Sequence, residues 1–209
     1  MQRLVFLGPP GAGKGTQAAA LAQVLGIKHL STGEILRSHV AAGTPLGREA
    51  EGFMTAGQLV PDRLVLAMLE AELRAPAASA GFLLDGFPRT LAQAEALDGL
   101  APLDRVIFFD IGEGTLLERL TQRRHCPQCG LVYNLVTKPP ATPGRCDQDG
   151  TPLVQRSDDR EDAVRTRLRV YQEQTAPLLE FYTRQGRLRR LDANGPVEVV
   201  ATRLRAALG

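Results

Sequence analysis

The sequence predicts an α/β fold in which buried parallel strands are joined by crossover helices, and three observations point there. Short apolar runs recur at Leu4-Val5-Phe6-Leu7, Phe82-Leu83-Leu84 and Val106-Ile107-Phe108-Phe109, the signature of strands covered on both faces. Helix-like stretches alternate with them, which is the rhythm of strand, crossover and parallel strand. With 209 residues, 44% apolar and 23% charged, the chain can bury a sizeable core as one compact domain with room for small insertions.

In chain order, the strand at 4 to 7 runs into Gly8-Pro9-Pro10, and a helix follows over 14 to 25. Helices are predicted at 32 to 41 and 62 to 74, with Ala75 to Ala80 a loop or frayed helix end. The strand at 82 to 84 is followed by a helix over 90 to 98, the strand at 106 to 109 by a helix over 113 to 123. A long helix spans 160 to 185: Asp158 is its expected cap with Glu161 three residues on, and acidic residues suit the first turn. Pro177 should kink it. Leu188 to Leu191 adds a strand, and a helix over 196 to 207 completes the series. Residues 125 to 157 break this rhythm. They are rich in Pro, Gly, Cys and Thr, with Val132 and Tyr133 the best β-formers, and read as an inserted small subdomain.

The formal charge of +2 is too near neutral for a nucleic-acid or membrane footprint. Lysine occurs only at Lys14, Lys28 and Lys138, so the basic side chains are nearly all arginine, which suits planar recognition of phosphate. Four apolar residues, Leu4 to Leu7, are too few for a signal-peptide core, and no run approaches a membrane span. Three cysteines, all between 126 and 146, argue against a secreted disulfide framework and for a metal site in a reducing compartment. The expected location is the cytoplasm.

Gly8-Pro9-Pro10-Gly11-Ala12-Gly13-Lys14-Gly15-Thr16 follows a buried strand and opens a helix, the context in which backbone amides and a helix N-terminus cradle phosphates. Lys14 supplies a point charge for the β and γ phosphates. A Gly/Pro turn without a ligand would not require lysine, strand and helix at this spacing. Gly15 stands where many such loops have Ser or Thr, which argues against direct hydroxyl ligation of magnesium.

Cys126-Pro127-Gln128-Cys129-Gly130 and Cys146-Asp147-Gln148-Asp149-Gly150 form two matching knuckles, a pattern typical of tetrahedral zinc. Internal symmetry puts Asp149 in the fourth position, with His125 and Asp147 as rivals. Three thiolates and a carboxylate would close the tetrahedron, so the ion would be structural.

The loop Gly8 to Thr16, then Ser31-Thr32-Gly33, then Asp85-Gly86-Phe87-Pro88-Arg89 with Gln93, occur in the order and spacing of nucleoside monophosphate kinases. Together with Gly57-Gln58-Leu59-Val60, Arg119, Arg123-Arg124, Arg156-Ser157-Asp158-Asp159 and Arg167, they make the chain resemble the bacterial adenylate kinases along its whole length, and a zinc-bearing subset of that family shows the same cysteine pattern. The resemblance implies a five-stranded parallel sheet of the P-loop NTPase type flanked by helices, with core segments 1–30, 61–121 and 160–209, an AMP-binding subdomain at 31–60 and a zinc-binding lid at 122–159. It implies reversible Mg²⁺-dependent transfer between ATP and AMP to give two ADP, in a monomer. By resemblance, ATP is held by Gly11, Ala12, Gly13, Lys14, Gly15, Thr16, Arg119, Arg123, Val132, Tyr133 and Gly195. AMP is held by Thr32, Arg37, Gln58, Leu59, Val60, Gly86, Phe87, Pro88, Arg89, Gln93, Arg156 and Arg167. Lys14, Asp85, Arg89, Arg123, Arg156 and Arg167 serve the transfer itself, and Cys126, Cys129, Cys146 and Asp149 hold zinc.

Chemistry supports several of these roles. Arg37 and Arg89 can grip a phosphate bidentately, the Gln93 amide can both donate to and accept from a base edge, and Asp85, closing a strand, can order water around magnesium. Two rivals stand against an AMP kinase: a zinc-knuckle nucleic-acid-binding protein, and a kinase for UMP, CMP or GMP. Between Cys126 and Asp149 only Lys138 and Arg145 are basic and only Tyr133 is aromatic, a poor nucleic-acid surface. Thr32 and Gln93 favour AMP.

Overall fold

The computed structural model describes residues 2–208. Five strands form a parallel sheet: β1 (Gln2–Leu7), β2 (Lys28–Ser31), β3 (Gly81–Asp85), β4 (Arg105–Asp110) and β7 (Leu188–Asp192), in the order β2-β3-β1-β4-β7. A two-stranded antiparallel hairpin, β5 (Arg123–His125) with β6 (Val132–Asn134), stands apart from it.

Alternation along each strand divides the core. Val5, Leu7, Phe82, Leu84, Val106 and Phe108 point to one face, where they pack with α2 (Thr32–Ala41), α3 (Pro45–Thr55), α4 (Asp62–Arg74), α5 (Leu91–Leu100) and α8 (Leu178–Arg184). Leu4, Phe6, Leu83, Ile107, Phe109 and Leu191 point to the other, covered by α1 (Lys14–Leu25) and α9 (Val197–Leu208). Both faces are buried, which is why the central strands read as unbroken apolar runs. The chain leaves β1 for one side of the sheet and later fills the other side with β4. The crevice beyond the carboxyl end of β1 is therefore a topological switch point, where α/β folds place ligands.

Several expectations are corrected. The helix expected over 113 to 123 contains only α6 (Leu116–Thr121), after a 3₁₀ turn at 113–115. Its last carbonyls are taken by the hairpin: Asn134 Nδ2 donates to Arg119 O (2.9 Å) and Leu135 N to Gln122 O (3.0 Å), so Arg123 begins a strand. The helix expected over 160 to 185 is divided into α7 (Glu161–Val170), a π-helical turn (Tyr171–Thr175) and α8. Pro177 has no N–H to continue the ladder, and the distortion begins six residues before it, with Ala176 N reaching back to Tyr171 O (2.9 Å). Asp158 does not cap α7. Arg160 occupies that position without a side-chain cap, while Asp158 is drawn into an ion pair with Arg167.

Two elements had no strong apolar signal. In β2, Lys-His-Leu-Ser carries one aliphatic residue because it is an edge strand. The start of α3 was written in its caps, with Thr44 Oγ1 accepting from Gly47 N (3.0 Å) and Pro45 in the first turn.

Candidate active site

The loop after β1 wraps the N-terminus of α1, and two glycines make this possible. Gly8 has φ +144°, and a Cβ there would lie 2.9 Å from Phe109 O; Gly13 caps α1 in the left-handed region at φ +89°. Lys14 Nζ folds back to donate to Gly8 O (2.7 Å) and Pro9 O (2.9 Å). Gly15 has a spatial reason as well: a Cβ would lie 3.2 Å from Asp85 Oδ2, so a Ser or Thr here would press on the carboxylate that closes β3. The glycine that departs from the common loop pattern thus makes room for Asp85.

Lys14, Arg37, Arg89, Arg123, Arg156 and Arg167 converge on this crevice from the loop, α2, the β3–α5 connection, the hairpin, the segment before α7 and α7 itself. Burial, aided by Arg89, Arg167 and Arg123 and opposed by Asp85, pushes the Lys14 ammonium down from 10.5 to about 8. Burial and neighbouring arginines push Arg89 and Arg156 down to about 10 and lower Arg37 and Arg167. The facing carboxylates are Asp85, Asp158 and Asp159, with Glu34 acting on Arg37. Burial opposes ionisation of Asp158, but Arg167, Arg123, Arg37 and Arg156 outweigh it and hold its carboxyl below the ordinary range. Six cations against four carboxylates leave a cleft short of negative charge.

Asp159, fully buried, organises two of the arginines. Arg123 grips it through Nε (2.7 Å) and Nη2, and Arg167 Nη1 donates to the same carboxylate (3.1 Å) and to Asp158 O (2.8 Å). The anchoring role of both aspartates is new; an Asp-Asp pair amid phosphate-type arginines was the available signal. Arg156 Nε is buried without a partner among the described residues, as suits a donor reserved for a ligand.

On the β2–β3 side, Thr32 Oγ1 donates to Gly86 O (2.9 Å), and Arg89 Nε donates to the same carbonyl (2.7 Å). Phe87-Pro88 is a cis peptide and Phe87 is buried. Arg89 N donates to Gln93 Oε1 (2.7 Å), so Thr32, Gly86, Arg89 and Gln93 form one connected set. Asp62, absent from the sequence-based site, joins it by accepting from Gln93 Nε2 (2.6 Å) and Thr90 Oγ1 (2.9 Å). The Thr90-x-x-Gln93 spacing is that of a capping box and marks the start of α5, but it gives no sign of Asp62. Gln58, Leu59 and Val60 lie just before α4, with Val60 buried. Arg119 is half-buried on α6, and Gly195 sits beyond β7 at the same end of the sheet, with φ +107°.

The cysteine-rich segment is built from two copies of one turn. Cys126 N donates to Leu131 O and Gly130 N to Cys126 O; Cys146 N donates to Thr151 O and Gly150 N to Cys146 O, all at 2.9–3.0 Å. One ligand atom from each of Cys126, Cys129, Cys146 and Asp149 lies within 4.8 Å of all the others. Cys129 Sγ and Cys146 Sγ are 3.5 Å apart, far beyond a disulfide bond and near the ~3.8 Å edge of a tetrahedron with ~2.3 Å Zn–S bonds. The rivals for fourth ligand are occupied elsewhere: His125 Nδ1 faces Val154 O (3.1 Å), and Asp147 accepts from Ala141 N (2.8 Å). The cluster is therefore compatible with zinc. Tyr133 is buried here, with its hydroxyl 3.5 Å from Cys146 Sγ and accepting from Asp147 N (2.9 Å). Its side chain belongs to this cluster, leaving its backbone and Val132 for any nucleotide contact.

Comparison with known proteins agrees with this geometry. The family model described as adenylate kinase matches residues 6–187. The chain is 50% identical to the adenylate kinase of Moorella thermoacetica, with 99% of this chain and 98% of that protein covered. It is 47% identical to that of Thermodesulfovibrio yellowstonii, with 99% and 98% covered, and 46% identical to that of Archaeoglobus fulgidus, with 98% and 97% covered. On the shared fold, the phosphate loop and likeness over nearly the whole length, the chain belongs to the adenylate kinase family.

Proposed function

We infer that this chain transfers the terminal phosphoryl group of ATP to AMP, reversibly, giving two ADP, and that the residues gathered at the crevice carry the reaction. The observation that carries this reading is the convergence of Lys14 and five arginines on a crevice with a phosphate loop on one side and the Thr32–Arg89–Gln93 set on the other.

An AMP phosphate oxygen attacks the γ phosphorus. The new P–O bond forms as the bond to the β–γ bridging oxygen breaks, and that electron pair leaves on ADP. No general base is needed, because a phosphate monoester with a second pKa of about 6 is already largely dianionic at neutral pH. The protein's task is alignment and charge stabilisation. The loop amides and Lys14 hold the β and γ phosphates, Arg37 and Arg89 hold the AMP phosphate, and Arg123, Arg156 and Arg167 meet the charge that spreads over the transferring group. Arg119 covers the ATP base, with Val132, the Tyr133 backbone and Gly195 completing its site. The Asp85 carboxylate, to which no side chain among the described residues hydrogen-bonds, suits water-mediated support of Mg²⁺. That ion would supply screening of the phosphates' charge.

The segments 31–60 and 122–159 close over AMP and ATP and exclude water, which would otherwise be an alternative acceptor. Cys126, Cys129, Cys146 and Asp149 hold a structural Zn²⁺ in the second of these. The protein works as a cytoplasmic monomer, and no described helix is long and apolar enough to cross a membrane.

The test is ADP formation from ATP and Mg²⁺ with AMP, GMP, CMP or UMP, against an ATP-only control. Strong AMP-dependent production with the others weak is expected. Preference for another acceptor would overturn the assignment of AMP, and ADP formation independent of acceptor would overturn the kinase reading.

A further inference from the structure

We propose that Asp62 is a positioning residue that fixes the orientation of the Gln93 amide and thereby makes the acceptor site select a 6-amino purine over a 6-oxo purine. This rests on the reading above that Gln93 faces the base of the acceptor nucleotide.

Gln93 is 2% exposed, and its side chain is held at both ends. Arg89 N, which can only donate, meets Oε1 at 2.7 Å, and Asp62 Oδ1, which as a carboxylate can only accept, meets Nε2 at 2.6 Å. A flipped amide would put two acceptors together at Asp62 and two donors together at Arg89. The orientation therefore follows from the chemistry of the two partners. Thr90 completes the ring, its hydroxyl donating to Asp62 Oδ2 (2.9 Å) and accepting from Gln93 N (3.2 Å). Asp62 is the first residue of α4, directly after the Gln58–Val60 segment and Pro61, and Thr90 caps α5. The carboxylate thus ties together the starts of two helices on either side of the acceptor site.

After these two bonds the amide keeps one N–H and one oxygen lone pair. An adenine edge offers N6–H as donor and N1 as acceptor, the complement of that pair. In the same pose a 6-oxo purine offers O6 as acceptor and N1–H as donor, so acceptor meets Oε1 and donor meets Nε2–H. A rotating amide could adapt to either base, but one pinned between Asp62 and Arg89 N cannot. A site whose polar groups are pre-arranged in this way rejects the mismatched base far more strongly than an apolar pocket could.

The test compares kcat/KM for AMP and IMP, which differ at this edge, in the wild type, Asp62→Asn and Gln93→Ala, with KM for ATP as a control. Asn is isosteric with Asp and can donate as well as accept, so it removes one of the two partners that dictate the amide's orientation and leaves Arg89 N alone to hold it. The Asp62→Asn variant should lower the AMP-to-IMP ratio by about tenfold or more, through KM for the acceptor, with KM for ATP unchanged. Should Gln93→Ala collapse the ratio while Asp62→Asn leaves it intact, the role of Asp62 is refuted and the acceptor site stands. An unaltered ratio in Gln93→Ala would sink both. A loss in Asp62→Asn shared equally between AMP and IMP would reduce Asp62 to a structural brace and overturn the proposal.

Discussion

Replacing Lys14 with methionine should abolish transfer and at the same time make the ligand-free protein more stable. The ammonium sits half-buried beside Arg89, Arg123 and Arg167, and burial with that repulsion pushes it from 10.5 to about 8. At about 1.4 kcal/mol per pH unit, this is a penalty of about 3 kcal/mol for holding the charge in the folded chain. Below pH 8 the group is protonated in both folded and unfolded states, so the whole penalty is present. Between 8 and 10.5 the folded state sheds the proton first, the unfolded state binds more protons, and wild-type stability rises with pH. The variant has no such term. It also loses the bonds to Gly8 O and Pro9 O, so a net gain of about 1–2 kcal/mol at pH 7 is expected, passing through zero between about pH 9 and 10 and reversing above. Urea unfolding from pH 6 to 10 measures this, and turnover should fall about a thousandfold. A variant less stable than wild type at pH 7, or a stability difference that does not move with pH, would refute the reasoning.

Lys14 also predicts how ATP binding depends on pH. Phosphates raise its pKa in the complex, so binding takes up a proton above pH 8, and calorimetry should show affinity flat below pH 7 and falling above 8; constant affinity to pH 9.5 would contradict this. Asp159→Asn leaves Arg123 and Arg167 without their shared buried carboxylate and should destabilise the protein by about 3 kcal/mol in chemical unfolding, an effect under 0.5 kcal/mol being incompatible with the anchoring role. Cys129→Ser should lower both zinc content and melting temperature, and unchanged values of both would exclude a structural metal at this cluster.

What the sequence made legible depended on how local the physics was. The Gly8 to Thr16 loop is a continuous stretch whose glycines and lysine are close neighbours in the chain, and the central strands are apolar on both faces. Both were readable from neighbours alone. The cysteine knuckles were readable because the same turn is written twice, even to the bonds that Gly130 and Gly150 make to the first cysteine of each. Harder to see were effects between distant segments. The hairpin ends α6 early by capturing Arg119 O and Gln122 O, and Arg167 takes Asp158 from the start of α7. Asp62 lies 31 residues from Gln93, and no local pattern in the chain around it announces the pairing. Such a residue emerges only when two helices are placed side by side.

The difference between the sheet and the cysteine-rich segment follows from the same contrast. The sheet buries two extensive apolar layers, whereas the only buried cluster of the cysteine-rich segment among the described residues is Cys126, Tyr133 and Cys146, with Cys129 and Leu153 beside it. Leu131, Leu135, Val136 and Val154 of that segment remain exposed. So little buried area cannot offset the entropy of ordering nearly forty residues. Ligand binding that occurs only in the folded segment adds directly to its stability, and a tetrahedral ion held by both knuckles would do so. The segment's attachment is polar: Arg123 and Arg167 meet over Asp159 through ion pairs, contacts for which an anionic ligand would compete. An attachment built instead on a large apolar interface would lose that responsiveness, because an anion has no means of displacing buried hydrocarbon.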